Sequence, residues 1–249
     1  MREVKLDPNH LQRWDQRVRE GQAVAARCGA AERDARGEGG AQLSYNAGIS
    51  ACEKVTLWQQ ALSLLDEMRE VKLELDIISY SSGISACEKG EQWQRALALL
   101  IDMREAVLEP DTISYNAGVS ACEKGEQWQQ GLALLREMWE AKLEPNVISY
   151  NAGIRACQKK GQWHWALSLI SEMWEASVEP DAISYSAGVS ACANGARCLQ
   201  ALSLLREMQL IIFGPGFTAD VFVINMSEQG RQWKQVLPLV TEVRDSIIA

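Results

Sequence analysis

Tyr45, Tyr80, Tyr115, Tyr150 and Tyr185 stand 35 residues apart. Cys52, Cys87, Cys122, Cys157 and Cys192 keep the same step, as do Met68, Met103, Met138, Met173 and Met208. A word of this length that recurs without slipping specifies a solenoid: one unit cannot bury its apolar side alone, so successive units stack into a continuous core. Such a stack has no size at which its core must split, so 249 residues are expected to make one elongated body. Function is then to be sought on the groove that the stack creates.

The word reads as two helices. In residues 77 to 111, Tyr80, Ile84 and Cys87 fall four and three apart on one face of a helix from about Ser79 to Lys89, which Gly90 stops. Trp93, Ala96, Leu97, Leu100 and Met103 form the apolar stripe of a second helix from Gln92 to Glu105. Leu108-Glu109-Pro110-Asp111 ends it, because proline has no amide donor and disfavours helix in the residue before it. Five such hairpins are phased at 42 to 76, 77 to 111, 112 to 146, 147 to 181 and 182 to 216, the last losing its exit from Gln209 to Gly216. Residues 217 to 249 form an eroded sixth unit of the kind that caps an array: Asp220 replaces the tyrosine, while Gln232-Trp233, Leu237 and Leu239 keep the second helix. Met1 to Asn9 reproduces Met68 to Asp76, so the chain is expected to begin inside a unit. Residues 10 to 41 then make a degenerate helical segment that ends in a flexible Gly37-Glu38-Gly39-Gly40. Gly131 stands where other units have alanine, a weakness of roughly 1 kcal/mol.

Composition narrows the function classes. A chain that is 47% hydrophobic and 23% charged reads as soluble and globular, and no apolar run is long enough to cross a bilayer. The net charge of -8 argues against casual binding to polyanions, so nucleic-acid contact must come from local placement. Five of the seven cysteines share one phase and read as small buried residues of a reducing compartment; Cys28 and Cys198 lie outside that phase. His10 and His164 are the only histidines, and no Cys-x-x-Cys, His-x-Glu or Gly-x-x-x-x-Gly-Lys arrangement occurs. Neither a metal, a cofactor nor an enzyme is expected. Acids and bases roughly balance in residues 10 to 41, so no targeting segment is visible there.

The 35-residue length, the Ile-Ser-Tyr-Asn opening of 147 to 181, the glycine after the first helix, the Ala-Leu-x-Leu-Leu-x-x-Met second helix and the Glu-Pro-Asp exit together resemble the pentatricopeptide repeats. The resemblance covers residues 42 to 249 and fades at the end. It implies an all-α, right-handed superhelical solenoid of helix-turn-helix repeats that binds single-stranded RNA, one unit per base, in an organelle (chloroplast or mitochondrion). In that family the fifth and last residues of a unit read the base edge. Carried over, the pairs are Asn46 with Asp76, Ser81 with Asp111, Asn116 with Asn146, and Asn151 with Asp181, while Ser186 faces Gly216. The implied target is 5'-U-G-(C or U)-U-3'. Leu43, Ile78, Ile113, Ile148 and Ile183 would sandwich the bases, and Lys54, Lys89, Lys124 and Lys159 would meet phosphates.

Physical chemistry supplies rival roles for the same residues. An asparagine amide presents donors and an acceptor that match a base edge, and a carboxylate presents acceptors only. Yet Ser79, Asp111 and their equivalents also make good helix N-caps, and a lysine at a helix end opposes the dipole. Trp58, Trp93, Trp128 and Trp163 read as core anchors, with Trp139, Trp165 and Trp174 partly exposed. The tyrosines read as core residues whose hydroxyls reach a neighbouring backbone group, and Glu137, Glu140 and Glu144 predict an acidic outer face. The competing function is a protein-interaction scaffold, with Ile211, Ile212, Phe213, Phe217 and Phe222 available for a protein partner or self-association.

Overall fold

The computed structural model describes residues 38–195 together with 197, 200, 201, 203, 204 and 207. The N-terminal segment before residue 38, the eroded exit at 209 to 216, the capping unit at 217 to 249, and Cys28, Cys198, Ile211, Ile212, Phe213, Phe217 and Phe222 lie outside them. The described helices are α1 (Glu38–Val55), α2 (Trp58–Glu70), α3 (Ile77–Lys89), α4 (Trp93–Glu105), α5 (Thr112–Lys124), α6 (Trp128–Glu140), α7 (Val147–Lys159), α8 (Trp163–Glu175) and α9 (Ala182–Asn194). No strand occurs among the described residues. Two compact units are formed, one within Met1–Gly125 and Arg136–Glu144, the other within Glu126–Leu135 and Pro145–Ala249.

In the first unit α1 packs on α2, α3 on α4, and the first helices α1, α3 and α5 pack in sequence, with α2 against α3 and α4 against α5. The second unit repeats the scheme with α7 on α8, and α9 on both. The 35-residue phase explains the core. Tyr45, Tyr80, Tyr115, Tyr150 and Tyr185 are buried, as are the five in-phase cysteines and Met68, Met103, Met138 and Met173. Burial pushes the thiols of Cys87 and Cys192 up to about 11 and those of Cys122 and Cys157 up to about 12, so these sulfurs are inert packing groups.

First helices begin two residues earlier than Ser79 suggests, because the cap is the residue before them. Asp76, Asp111, Asn146 and Asp181 hold extended backbone, and their side chains accept from the amides of Ser79, Ser114, Ser149 and Ser184. Each such cap is worth about 1 kcal/mol. The serines therefore sit in the first turn and are not the caps. Ala41 occupies the capping phase before the first hairpin and has no acceptor, so α1 runs on upstream through Gly39 and Gly40 instead of stopping at a flexible stretch.

Second helices begin at their tryptophan, one residue after Gln92, and no side chain caps α2, α4 or α8. The indoles are half-buried joints, not core anchors. A Cβ on Gly90 would lie 2.2 Å from Trp58, one on Gly125 2.2 Å from Trp93, and one on Gly195 2.5 Å from Trp163. Gly90 is thus needed for the close approach of the preceding hairpin's indole; its own φ is -82°, which any residue adopts. The left-handed position falls one residue later, on Thr56, Glu91 and Glu126, and only in the fourth repeat on a glycine, Gly161. Leu99 takes the buried place in α4 that Leu97 was expected to fill, and Leu97 is half-buried.

Candidate nucleic-acid interface

Each first helix leaves an aliphatic side chain exposed near its start. Leu43 is 72% exposed, Ile78 57%, Ile113 64%, Ile148 62% and Ile183 52%. Helix geometry puts each of them three residues before the polar side chain of its own unit, Asn46, Ser81, Asn116, Asn151 or Ser186, on a shared face. A branched aliphatic left in water in every unit gains nothing for the core and is available to an apolar partner.

One turn on from these side chains, each compact unit brings one of the expected pairs together. Asn46 is 8% exposed; its Nδ2 donates to both carboxylate oxygens of Asp76 at 3.3 and 3.1 Å, and its Oδ1 accepts from Ser79 Oγ at 2.6 Å. Asn151, 5% exposed, repeats this, with Nδ2 donating to Asp181 Oδ1 at 3.2 Å and Oδ1 accepting from Ser184 Oγ at 2.6 Å. Each asparagine is thereby tied to the cap of the next hairpin, so capping and pairing coexist in one aspartate. Burial pushes the Asp76 carboxyl up, but hydrogen bonds from Ser79, Asn46 and Gln42 outweigh it and hold the group below its usual range. At Asp181, burial acts in the same sense and is outweighed by bonds from Ser184, Asn151 and the Ile183 amide.

The Ser81–Asp111 pair differs. Ser81 turns its hydroxyl to the Ile78 carbonyl at 3.2 Å and makes no hydrogen bond to Asp111 among the described residues. Asn146 accepts from the Ser149 amide at 3.1 Å while its own amide donates to Ser149 Oγ, a reciprocal capping box. Asn116 and Ser186 are half-buried, and Gly216 lies outside the described residues.

Two of the four expected lysines are already ion-paired. Lys89 Nζ lies 2.9 Å from Glu53 Oε1, and Lys124 Nζ lies 2.8 Å from Glu88 Oε1 and donates to the Glu88 carbonyl at 3.2 Å. The base of one hairpin neutralises the acid of the hairpin before it and reaches the carboxyl end of that helix. Asn194, in the same phase, donates to the Gln158 carbonyl at 2.9 Å. Lys54 and Lys159 are exposed. The signal was present in the recurring doublets Glu53-Lys54, Glu88-Lys89 and Glu123-Lys124, which put an acid one repeat and one residue before each following lysine.

On the second helices Arg69 pairs with Asp102 at 2.8 Å and Arg104 with Glu137, so the acidic face is partly neutralised. Arg104 also donates to the Tyr115 hydroxyl at 3.4 Å, with its guanidinium 5.6 Å from the ring centre; that hydroxyl meets a cation and not a backbone group. Trp139, Trp165 and Trp174 are exposed, as their phase predicts. No group of metal-ligating side chains and no helix long and apolar enough to span a membrane occurs among the described residues.

These features define an all-α helical-repeat solenoid. Three family profiles match the chain: "PPR repeat" over residues 43–73, "Pentatricopeptide repeat domain" over 63–124 and "PPR repeat family" over 145–194. The chain belongs to the pentatricopeptide repeat family. Solved structures agree on the fold. The PPR domain of Arabidopsis thaliana protein-only RNase P 1, solved in complex with tRNA, matches with a TM-score of 0.61 at 15% identity, over 73% of this chain and 95% of that one. PPR10 in complex with an 18-nt psaJ RNA element matches at 0.61 and 21% identity, over 82% of this chain. The chain spans 28% of that protein's length. Nuclear proteinaceous RNase P 2 from A. thaliana matches at 0.62 and 13% identity, over 69% of this chain and 38% of that one. No curated protein matches the sequence.

Proposed function

We propose that this protein binds single-stranded RNA along its first helices, one base per repeat, with a target core of 5'-U-G-(C or U)-U-3'. The observation that carries the reading is the coincidence, in each described unit, of an exposed aliphatic side chain with a short polar side chain three residues on, which in two units is bonded to the cap aspartate of the next hairpin. An unstacked base needs both: an apolar flank for its face, and donors and acceptors for its edge. Asn46 with Asp76 and Asn151 with Asp181 already touch and so are held ready as composite readers. The protein acts as a binding module that masks or presents a site during RNA processing, stabilisation or editing. The family likeness extends this to organellar transcripts, which the cellular location of the tagged protein tests.

Titration of the purified chain with U-G-U-U and scrambled single strands, at low and moderate salt, tests the binding. Four phosphate contacts to free lysines give a log-log salt slope of about -3. Because Lys89 and Lys124 must first leave Glu53 and Glu88, and each released carboxylate recruits its own cation, the expected slope is about -1 to -2. Those same ion pairs favour a second reading, a scaffold for protein partners. Sequence-indifferent binding, or none, would select it.

A further inference from the structure

We propose that Ser79 and Ser184 are positioning residues that, together with the cap aspartates, hold the Asn46 and Asn151 amides one way round, and hence favour uracil over cytosine at these two repeats; the inference rests on the RNA-binding reading above. An asparagine amide is nearly symmetric in shape and opposite in chemistry at its two ends, so something must choose its orientation. A carboxylate offers only acceptors, so the amide nitrogen faces Asp76 or Asp181. The amide oxygen then faces a hydroxyl buried completely in the next hairpin, 2.6 Å away in both places.

The serine must commit its proton. Ser79 Oγ lies 2.6 Å from Asn46 Oδ1 and 2.7 Å from Asp76 Oδ1, and one hydroxyl proton cannot fully serve both. Asp76 already takes the Ser79 backbone amide at 2.8 Å, the Asn46 amide, and Gln42. Asn46 Oδ1 has no comparable supply, so the shared Ser79 hydroxyl is its side-chain donor among the described residues. Ser184 sits identically between Asn151 Oδ1 at 2.6 Å and Asp181 Oδ1 at 2.9 Å. With both ends pinned, the remaining N–H and the remaining oxygen lone pair have fixed places. Uracil and cytosine present opposite donor and acceptor order at the 3 and 4 positions of their edge, so an amide flip exchanges the base it matches.

Ser114 provides an internal control. It holds the same place in α5 and bonds Asp111 Oδ1 at 2.7 Å, but the preceding reader is Ser81, which has no amide to orient. In equilibrium binding to single strands that vary one base at a time, Ser79→Ala should lower the U-over-C preference at the first base by about three- to tenfold, and Ser184→Ala should do so at the fourth. Neither should change the other three bases, and Ser114→Ala should leave both preferences intact. Asn46→Ala and Asn151→Ala separate the two ideas: if they leave base preference untouched, the reading of these repeats fails. If they abolish it while the serine variants keep the full U-over-C ratio, the positioning role is overturned and the reading survives. A measurement without RNA stands beside this. The Asn46 side-chain amide should give one sharp, slowly exchanging NMR pair in the parent and a shifted, faster-exchanging pair in Ser79→Ala; an unchanged pair overturns the proposal.

Discussion

The Asn46–Asp76 and Asn151–Asp181 pairs carry the same two side chains in the same phase of the repeat, yet their neighbours differ. Four residues before Asn46 stands Gln42, whose Nε2 donates to Asp76 Oδ2 at 3.2 Å and to the Glu74 carbonyl at 3.1 Å. Four residues before Asn151 stands Val147, which supplies no donor. Four residues after Asn46 is Ser50, 3.1 Å from Ser82 Oγ; four after Asn151 is Arg155. The identity of a pair does not fix what it can offer: the residues one helical turn away set how much of its hydrogen-bonding capacity is already in use.

The largest consequence is for stability. Removing the amide leaves Asp181 without its asparagine donor and with no glutamine to take its place, whereas Asp76 keeps Gln42. Asn151→Ala should cost about 2 kcal/mol and Asn46→Ala about 1 kcal/mol in urea unfolding. Equal costs would break the comparison, since the glutamine would then contribute nothing.

Acid is the next test. Both carboxyls are held below their usual range, so the stabilisation they give is fully present above the unfolded aspartate value of about 3.9 and is lost as pH falls through the lower folded value. Asp76→Asn and Asp181→Asn should each flatten the acid limb of a stability-versus-pH curve. The helix start should survive, because Asn146 already caps α7 in this chain. A limb as steep as the parent's would place the acid sensitivity elsewhere.

How far these nodes could be read from sequence follows from what periodicity encodes. A phase of 35 places Tyr80, Cys87 and Met103 in the core and predicts eight of the nine described helices within two residues at each end, α1 with its longer start excepted, because burial repeats with the word. It is silent on which neighbour a polar group chooses. Asn46 reaches Ser79, 33 residues on, and Lys89 reaches Glu53, 36 residues back; both distances straddle the repeat and appear only once hairpins stack. Gly90 illustrates the same gap. Its place after a helix suggests a backbone role, but the indole of Trp58 needs the space, and Glu91 bears the left-handed strain.

Gln42→Val converts the first node into a copy of the second and should cost about 0.5 to 1 kcal/mol. The sharper reading is a double-mutant cycle: in the Gln42→Val background, Asn46→Ala should rise to the cost of Asn151→Ala. Additive costs would mean that Gln42 and Asn46 serve Asp76 independently.

The smallest effect on stability belongs to Arg155, and it separates the nodes most clearly in binding. Asn151, Arg155 and Lys159 follow one another at four-residue steps on one face of α7, so the exposed guanidinium stands between the proposed base reader and the proposed phosphate lysine. α7 also has Gln158 where α3 and α5 have Glu88 and Glu123, so this first helix carries two cations and no acid. Arg155→Ser restores the residue found at Ser50, Ser85, Ser120 and Ser190 and should change stability by less than about 0.5 kcal/mol. It should also reduce the magnitude of the log-log salt slope for RNA, by at most the roughly 0.7 of one phosphate contact on a single strand, without altering preference at any base. Ser50→Arg should add the same increment at the first node. An unchanged slope in both variants would mean that the two nodes differ in hydrogen bonding alone, and that the extra charge on α7 takes no part in binding.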